Sequence, residues 1–202
     1  MLNLEKNFFK KRILIYGLGK SGLSTYSFLK KSNVISLFDD RIITKKKIKD
    51  THTTYKEIIK KEFDCIIISP GIDINKCKLS RFLKKNHKKI YTDLDIFYSR
   101  YAFNQKITIT GTNGKSTTAK LLYDILKDQK KDVRLVGNIG NPILLEKKIK
   151  KDTLFVIEAS SYQLEYSRLF KTNISIILNI APDHLERHKT INKYVSAKFK
   201  LI

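Results

Sequence analysis

Residues 13–24 read ILIYGLGKSGLS. An apolar, β-branched run turns at Gly17-Leu18-Gly19-Lys20-Ser21-Gly22, the GxGxxG spacing of a strand–turn–helix that brings backbone close to a diphosphate. The next apolar run, VISLFDD, closes on Asp39 and Asp40, about where such folds set an acid against a ribose. The stretch predicts a Rossmann-like parallel sheet covered by helices on both faces. It does not say which diphosphate is bound. A nicotinamide dinucleotide and a nucleotide sugar offer the same charge to the same helix N-terminus.

Outward from this turn the pattern repeats. Strands are predicted at RILIY (12–16), VISLF (34–38), DCIIIS (64–69) and KKIYT (88–92), then at KITIT (106–110), VRLV (133–136), TLFVIE (153–158) and ISIILN (174–179). Helix-like segments lie between them: SGLSTYSFLKK, INKCKLSRFLKK and KSTTAKLLYDILKDQ. In the last, Leu121, Leu122, Ile125 and Leu126 recur at helical spacing. The segment TDLDIFYSRYAFNQ (92–105) carries no strand pattern and separates the two sets. We therefore divide the chain into an α/β domain over 1–95 and a second over 96–202.

The second set opens on ITITGTNGKSTT (107–118). Gly111-Thr112-Asn113-Gly114-Lys115-Ser116-Thr117 has the outline of a P-loop, with backbone N–H groups and a helix N-terminus facing phosphates. Lys115 can reach terminal phosphates and the Ser116 hydroxyl can ligate Mg²⁺. The full G-x-x-x-x-G-K-[ST] spacing would need glycine where Ile109 stands, so the loop is a shorter form. Glu158 ends TLFVIE, and Asp183-His184 follow ISIILN, both at carboxyl ends of strands where open α/β sheets bind ligands. Glu158 could share a magnesium ion with Ser116, since that metal takes hard oxygen ligands. His184 and His188 stand four apart, which invites a zinc reading. HLERH lacks the glutamate of HExxH, however, and neither cysteine is near. His188 is therefore expected on a helix surface, and His184 is the better site candidate.

The 202 residues, 42% of them hydrophobic, can bury a sizeable core. Two cysteines, Cys65 and Cys77, suggest neither a disulfide framework nor a metal motif, which fits the cytoplasm. The opening MLNLEKNFFKKR has no apolar signal-peptide core, and no stretch approaches the roughly 20 apolar residues of a membrane span. A net charge of +22 would suit nucleic acid. Yet the lysines are scattered through KKR, TKKKIKD, KKNHKK, KDQKK and EKKIKKD rather than gathered in one stripe. No nucleic-acid partner is expected, although the positive field favours anionic substrates.

GLGKSGLS (17–24), SPGI (69–72), TGTNGKST (110–117), GNIG (137–140), EASSYQLE (158–165) and DHLERH (183–188) occur in that order. Together they resemble the Mur ligases, ATP-dependent amide-bond-forming enzymes of peptidoglycan precursor synthesis, in the branch that joins D-glutamate to UDP-N-acetylmuramoyl-L-alanine. The resemblance implies a Rossmann-like N-terminal domain followed by an incomplete P-loop-type α/β ATP-binding domain. The first domain would bind the UDP-sugar rather than NAD, with Gly19, Lys20, Ser21, Asp39, Asp40, Ser69, Pro70 and Gly71, joined by Asn138 from the second. Gly111 to Thr117 would bind ATP. Lys115, His184 and Lys198 would be catalytic. Ser116 and Glu158 would hold one Mg²⁺, and His184 with Lys198 a second. The Y-x-x-A-K pattern at Tyr194, Ala197 and Lys198 implies a lysine that reacts with CO₂ to become a carbamate. A cytoplasmic monomer is implied. Members of the family are more than twice this long, so a C-terminal domain is expected to be missing, as in a fragment or split gene. The chain alone is then expected to be inactive, with an exposed sheet edge. A non-catalytic UDP-sugar-binding module and an NAD-dependent oxidoreductase are the alternatives.

Overall fold

The computed structural model describes residues 7–41 and 52–202. The lysine run at 44–50 and the opening residues 1–6 lie outside the described residues. The chain divides into two compact units, Met1–Arg100 and Tyr101–Ile202.

In the first unit, β1 (Arg12–Tyr16), β2 (Val34–Phe38), β3 (Cys65–Ile68) and β4 (Ile90–Tyr91) form a wholly parallel sheet in the order β2-β1-β3-β4. The register pairs Ile13 with Ile35 on one side and with Cys65 on the other. Ile13, Leu14, Ile15 and Tyr16 are fully buried, as expected of a central strand covered on both faces. Each such aliphatic side chain contributes about 2 kcal/mol by leaving water. Parallel neighbours need crossovers, and α1 (Lys20–Leu29), α2 (Tyr55–Lys60) and α3 (Ser80–Lys85) lie between the strands in sequence. A capping box between Thr54 and Glu57 starts α2. The unit ends in α4 (Asp93–Arg100), whose first turn is held by Thr92 N–H donating to Asp95 Oδ2 at 2.9 Å.

The segment INKCKLSRFLKK is helical only from Ser80. Before that, Asn75 N–H bonds Asp73 Oδ1 at 2.9 Å, and Lys76 and Cys77 N–H both bond Asp73 O at 3.0 Å. Asp and Asn side chains offer the backbone a local turn that competes with helix.

The second unit holds β5 (Lys106–Thr110), β6 (Val133–Gly137), β7 (Leu154–Glu158) and β8 (Ile174–Ile177), parallel in the order β6-β7-β5-β8. Its helices are α5 (Lys115–Asp128), α6 (Ser161–Glu165), α7 (Leu185–His188) and α8 (Ile191–Phe199). Ile109, Ala119, Val133 and Val156 form a buried cluster, with Leu122, Tyr123 and Leu126 of α5 packed on it. The stripe predicted on α5 therefore splits. Leu122 and Leu126 face the sheet, while Leu121 and Ile125 are 60% and 47% exposed.

In both sheets the first strand is flanked by later strands on either side, so successive crossovers leave in opposite directions. A crevice opens at its carboxyl end, where the glycine turns stand.

Candidate functional site

The turn after β1 is closed by contact rather than by side-chain capping. A Cβ on Gly22 would lie 1.8 Å from Gly17 O, so only glycine lets α1 come this close to the strand. Ser69, after β3, donates its hydroxyl to Gly17 O at 2.7 Å and fixes the turn from the other side. At Gly19 a Cβ would meet nothing within 4 Å, which leaves the N-terminus of α1 open.

A cleft of about 560 Å³ lies here, bordered by Gly19, Lys20, Ser21, Asp39, Asp40, Ser69, Pro70 and Gly71. It also takes in Gly17 of the GxGxxG turn, Ile72 of SPGI and Arg41, none of which was expected as a UDP-sugar contact. The signal for Arg41 was its place directly after the acid pair. Asp39 borders the cleft but holds the wall together. Its Oδ2 accepts Leu18 N–H at 2.7 Å and its Oδ1 accepts Arg41 N–H at 2.9 Å. Those bonds outweigh burial and lower its pKa. Asp40 accepts the Tyr16 hydroxyl at 2.5 Å. The Ser21 hydroxyl, read as a ligand donor, here donates to Asp93 Oδ2 on α4 at 2.5 Å.

In the second unit the glycine turn after β5 is stitched by the chain that follows β8. Thr112 N–H donates to Asn179 O at 3.0 Å, and Asn113 N–H to Asn179 Oδ1 at 2.9 Å. The Thr112 hydroxyl bonds Ala181 O at 3.2 Å and lies 3.0 Å from the Tyr194 hydroxyl on α8. Gly114 caps α5 with φ +79°, a left-handed geometry suited to glycine. Asn179 and Tyr194 thus shape the loop, and only a contact across more than sixty residues reveals it. Lys115 Nζ donates to Thr112 O at 2.7 Å across the turn. Thr117 is exposed on the first turn of α5.

Ser116, the second residue of α5, donates to Glu158 Oε2 at 2.8 Å. Glu158 is 1% exposed at the end of β7. Its other oxygen accepts Asn138 Nδ2 at 2.8 Å, so the amide predicted to meet substrate is engaged with this acid. A hydroxyl and a buried carboxylate in contact, beside a phosphate-type loop, fit one Mg²⁺. Such an ion keeps few protein ligands and completes its shell with water and phosphate oxygens. Among the described residues no group of three or more His, Cys, Asp or Glu stands ready for a metal.

Lys198 is 1% exposed on α8. Its Nζ donates to Gly111 O at 2.7 Å and lies 4.5 Å from the Tyr194 ring centre. Burial, reinforced by Lys115, lowers its pKa to about 8. His184 precedes α7 with φ +53°; it is partly exposed, 3.4 Å from Asp183 Oδ2, and its ring lies 4.8 Å from that of Tyr162. His188, expected on a helix surface, is instead buried. Its Nε2 lies 3.0 Å from Ser161 Oγ on α6, because α7 and α6 both pack against α8.

Two parallel-sheet units, each ending a strand in a glycine turn at a helix N-terminus, define an α/β protein with two turns of the phosphate-binding type. The match to known families agrees: residues 11–90 fit the Mur ligase MurD-like N-terminal domain, and residues 109–202 the Mur ligase middle domain. The chain belongs to the Mur ligase family. It is 34% identical to the UDP-N-acetylmuramoylalanine–D-glutamate ligase of Rickettsia bellii, over 95% of this chain and 43% of that protein. The enzyme of the same name from Wolbachia pipientis wMel is 37% identical, over 100% of this chain and 40% of its own length. The chain therefore spans about two fifths of these relatives. In fold it resembles the crystal structure of UDP-N-acetylmuramate:L-alanyl-gamma-D-glutamyl-meso-diaminopimelate ligase from Neisseria meningitides. The TM-score is 0.58 at 13% identity, covering 96% of this chain and 68% of that one. No helix among the described residues is long and apolar enough to cross a membrane.

Proposed function

We propose that the two units serve an ATP-dependent ligase that joins D-glutamate to UDP-N-acetylmuramoyl-L-alanine through an acyl phosphate, as a monomer in the cytoplasm. The observation that carries this reading is the pair formed by Ser116 and buried Glu158 on the glycine turn that also bears Lys115. In the first unit the cleft at the N-terminus of α1 takes the UDP-sugar, with Gly19, Lys20, Ser21, Asp40, Ser69, Pro70 and Gly71 lining it.

In the second unit the backbone of Gly111 to Thr117 cradles the ATP phosphates and Lys115 turns from Thr112 O toward the terminal ones. The substrate carboxylate attacks the γ-phosphorus and expels ADP; the amine of D-glutamate then attacks the carbonyl carbon of the acyl phosphate, loses a proton and expels phosphate. Both steps bring anions or electron-rich groups together, so alignment and charge neutralisation carry the catalysis. Ser116 and Glu158 would hold one magnesium ion, and His184 with carbamylated Lys198 a second, and these ions would supply part of that charge. Asn138 keeps Glu158 oriented. A pKa lowered to about 8 enlarges the share of Lys198 that is a neutral amine, the form whose nitrogen lone pair can attack CO₂. An N–C bond forms, one C=O pair moves to oxygen, and a proton leaves to solvent.

Calorimetric titration of the chain with UDP-N-acetylmuramoyl-L-alanine and with NADH tests the first unit. Saturable binding of the UDP compound alone is expected, and binding of NADH alone overturns the reading. For Lys198, ¹³C NMR in labelled bicarbonate should show a carbamate resonance that Lys198→Arg abolishes. A resonance that survives the substitution refutes the assignment.

A further inference from the structure

Ser21 borders the cleft, yet its hydroxyl hydrogen points away from it toward Asp93. Asp93 is 3% exposed at the start of α4, and its two oxygens have different partners. Oδ1 accepts Leu94 N–H at 3.0 Å, while Oδ2 accepts the Ser21 hydroxyl at 2.5 Å. A hydroxyl can donate one hydrogen bond and accept others. If Asp93 is ionised, Ser21 must spend its proton on Oδ2 and turn lone pairs toward the cleft, where they repel phosphate oxygens. If Oδ2 carries a proton, it donates to Ser21 Oγ, and Ser21 directs its own proton into the cleft. Leu94 N–H keeps its acceptor in both states.

We propose that Asp93 is a positioning residue that works as a neutral acid, donating to Ser21 Oγ so that the Ser21 hydroxyl donates to the diphosphate of the UDP-sugar. The inference rests on the reading of the cleft as the UDP-sugar site. The environment of Asp93 favours the neutral form. Burial acts most strongly and the Asp95 carboxylate on the same helix adds to it, together outweighing the bonds from Ser21, from Leu94 N–H and from its own N–H, which favour the ionised form. From α1 the facing group is the uncharged Ser21, and the net effect is a raised pKa. The other charged groups at the cleft are Lys20, Asp39, Asp40 and Arg41. A diphosphate esterified at both ends keeps its charge throughout the neutral range, so the ligand adds no titration of its own there.

The test is calorimetric titration of the full chain with UDP-N-acetylmuramoyl-L-alanine from about pH 5.5 to 9.5, the span in which buried carboxyls have been found to titrate. Wild-type affinity should weaken with rising pH, approaching tenfold per pH unit above the raised pKa. Asp93→Asn keeps an N–H on Ser21 and an oxygen on Leu94 N–H, so its profile should lose that slope. Ser21→Ala should bind about tenfold more weakly, the worth of one hydrogen bond to a charged group, and should also lose the slope. Heats measured in two buffers should show proton uptake by wild type on binding, which decides the matter if Asp93→Asn fails to fold. Parallel slopes in wild type and Asp93→Asn, a flat wild-type profile, or binding without proton uptake at any pH would each overturn the inference while leaving the cleft assignment intact. A wild type that binds no UDP compound at any pH overturns the cleft assignment and this inference with it.

Discussion

Gly19-Lys20-Ser21 and Gly114-Lys115-Ser116 put the same three residues at the start of α1 and α5, and in each case the serine hydroxyl meets a buried acid. In the first unit that acid is Asp93 on a neighbouring helix, 2.5 Å away; in the second it is Glu158 at a strand end, 2.8 Å away. The positions of the acids separate the uses. Glu158 shares its crevice with the lysine-bearing turn and suits a cation between phosphates. Asp93 lies behind the turn, where it can orient a hydroxyl but adds no counter-charge for a metal. An anion-binding turn is a common part, and the acid behind it decides its chemistry.

The comparison breaks most sharply at Gly22. Gly22→Ala forces a Cβ to within 1.8 Å of a backbone oxygen, a severe overpacking that should cost the first unit about 3 kcal/mol. UDP-sugar binding should go with it. Urea unfolding followed by hydrogen exchange should place the loss in the first unit, with the second unchanged. Equal losses in both would mean that the units do not fold separately.

The units should also respond to pH with opposite sign. In the second, burial lowers both Lys106 and Lys198 to about 8 from 10.5. Between those values the unfolded chain binds more protons, so stability rises with pH. Each lysine should add about 1 kcal/mol between about pH 7 and 9. In the first unit Asp93 is raised above 3.8, so the native state holds the extra proton and stability falls as pH climbs from 3.8 through the raised value. Hydrogen exchange resolved by unit should show the two trends diverging. A common slope would refute the assignment of these groups.

Glu158→Gln keeps the shape, can still accept from Asn138 and must donate to Ser116 Oγ instead of accepting from it, and removes the charge. Mg²⁺ should then improve ATP binding about tenfold less than in wild type, close to 1.4 kcal/mol. Asp93→Asn should leave that magnesium effect alone. If both acids alter it equally, the distinction between them fails.

Much of this was legible in the sequence because isoleucine runs broken by glycine turns are local signals. All eight predicted strands form, and the residues of GLGKSG, LFDD and SPGI meet at one cleft. Burial of single polar residues was not legible. Asp93 stands 72 positions from Ser21, and acids are mostly exposed, so nothing local marks it as interior. His188 was misplaced for the same reason: its partner Ser161 lies on another helix. The INKCKLS turn was read as helix because its hydrophobic spacing permits one, while Asp73 and Asn75 supply a competing local bond.

The smallest expected effect compares two capping boxes. Thr54 with Glu57 starts α2, and Ser160 with Gln163 starts α6 two residues after Glu158. Thr54→Ala and Ser160→Ala should each cost about 1 kcal/mol, the usual worth of an N-cap. Their consequences for ligands should differ. Thr54 caps a helix remote from both glycine turns in sequence, so its loss should lower the unfolding midpoint and leave UDP-sugar affinity unchanged. Ser160 fixes the chain directly after Glu158, so its loss should also loosen that carboxylate and weaken the magnesium dependence of ATP binding. Equal stability losses with an unchanged magnesium effect in Ser160→Ala would show that β7 and Asn138 alone hold Glu158 in place.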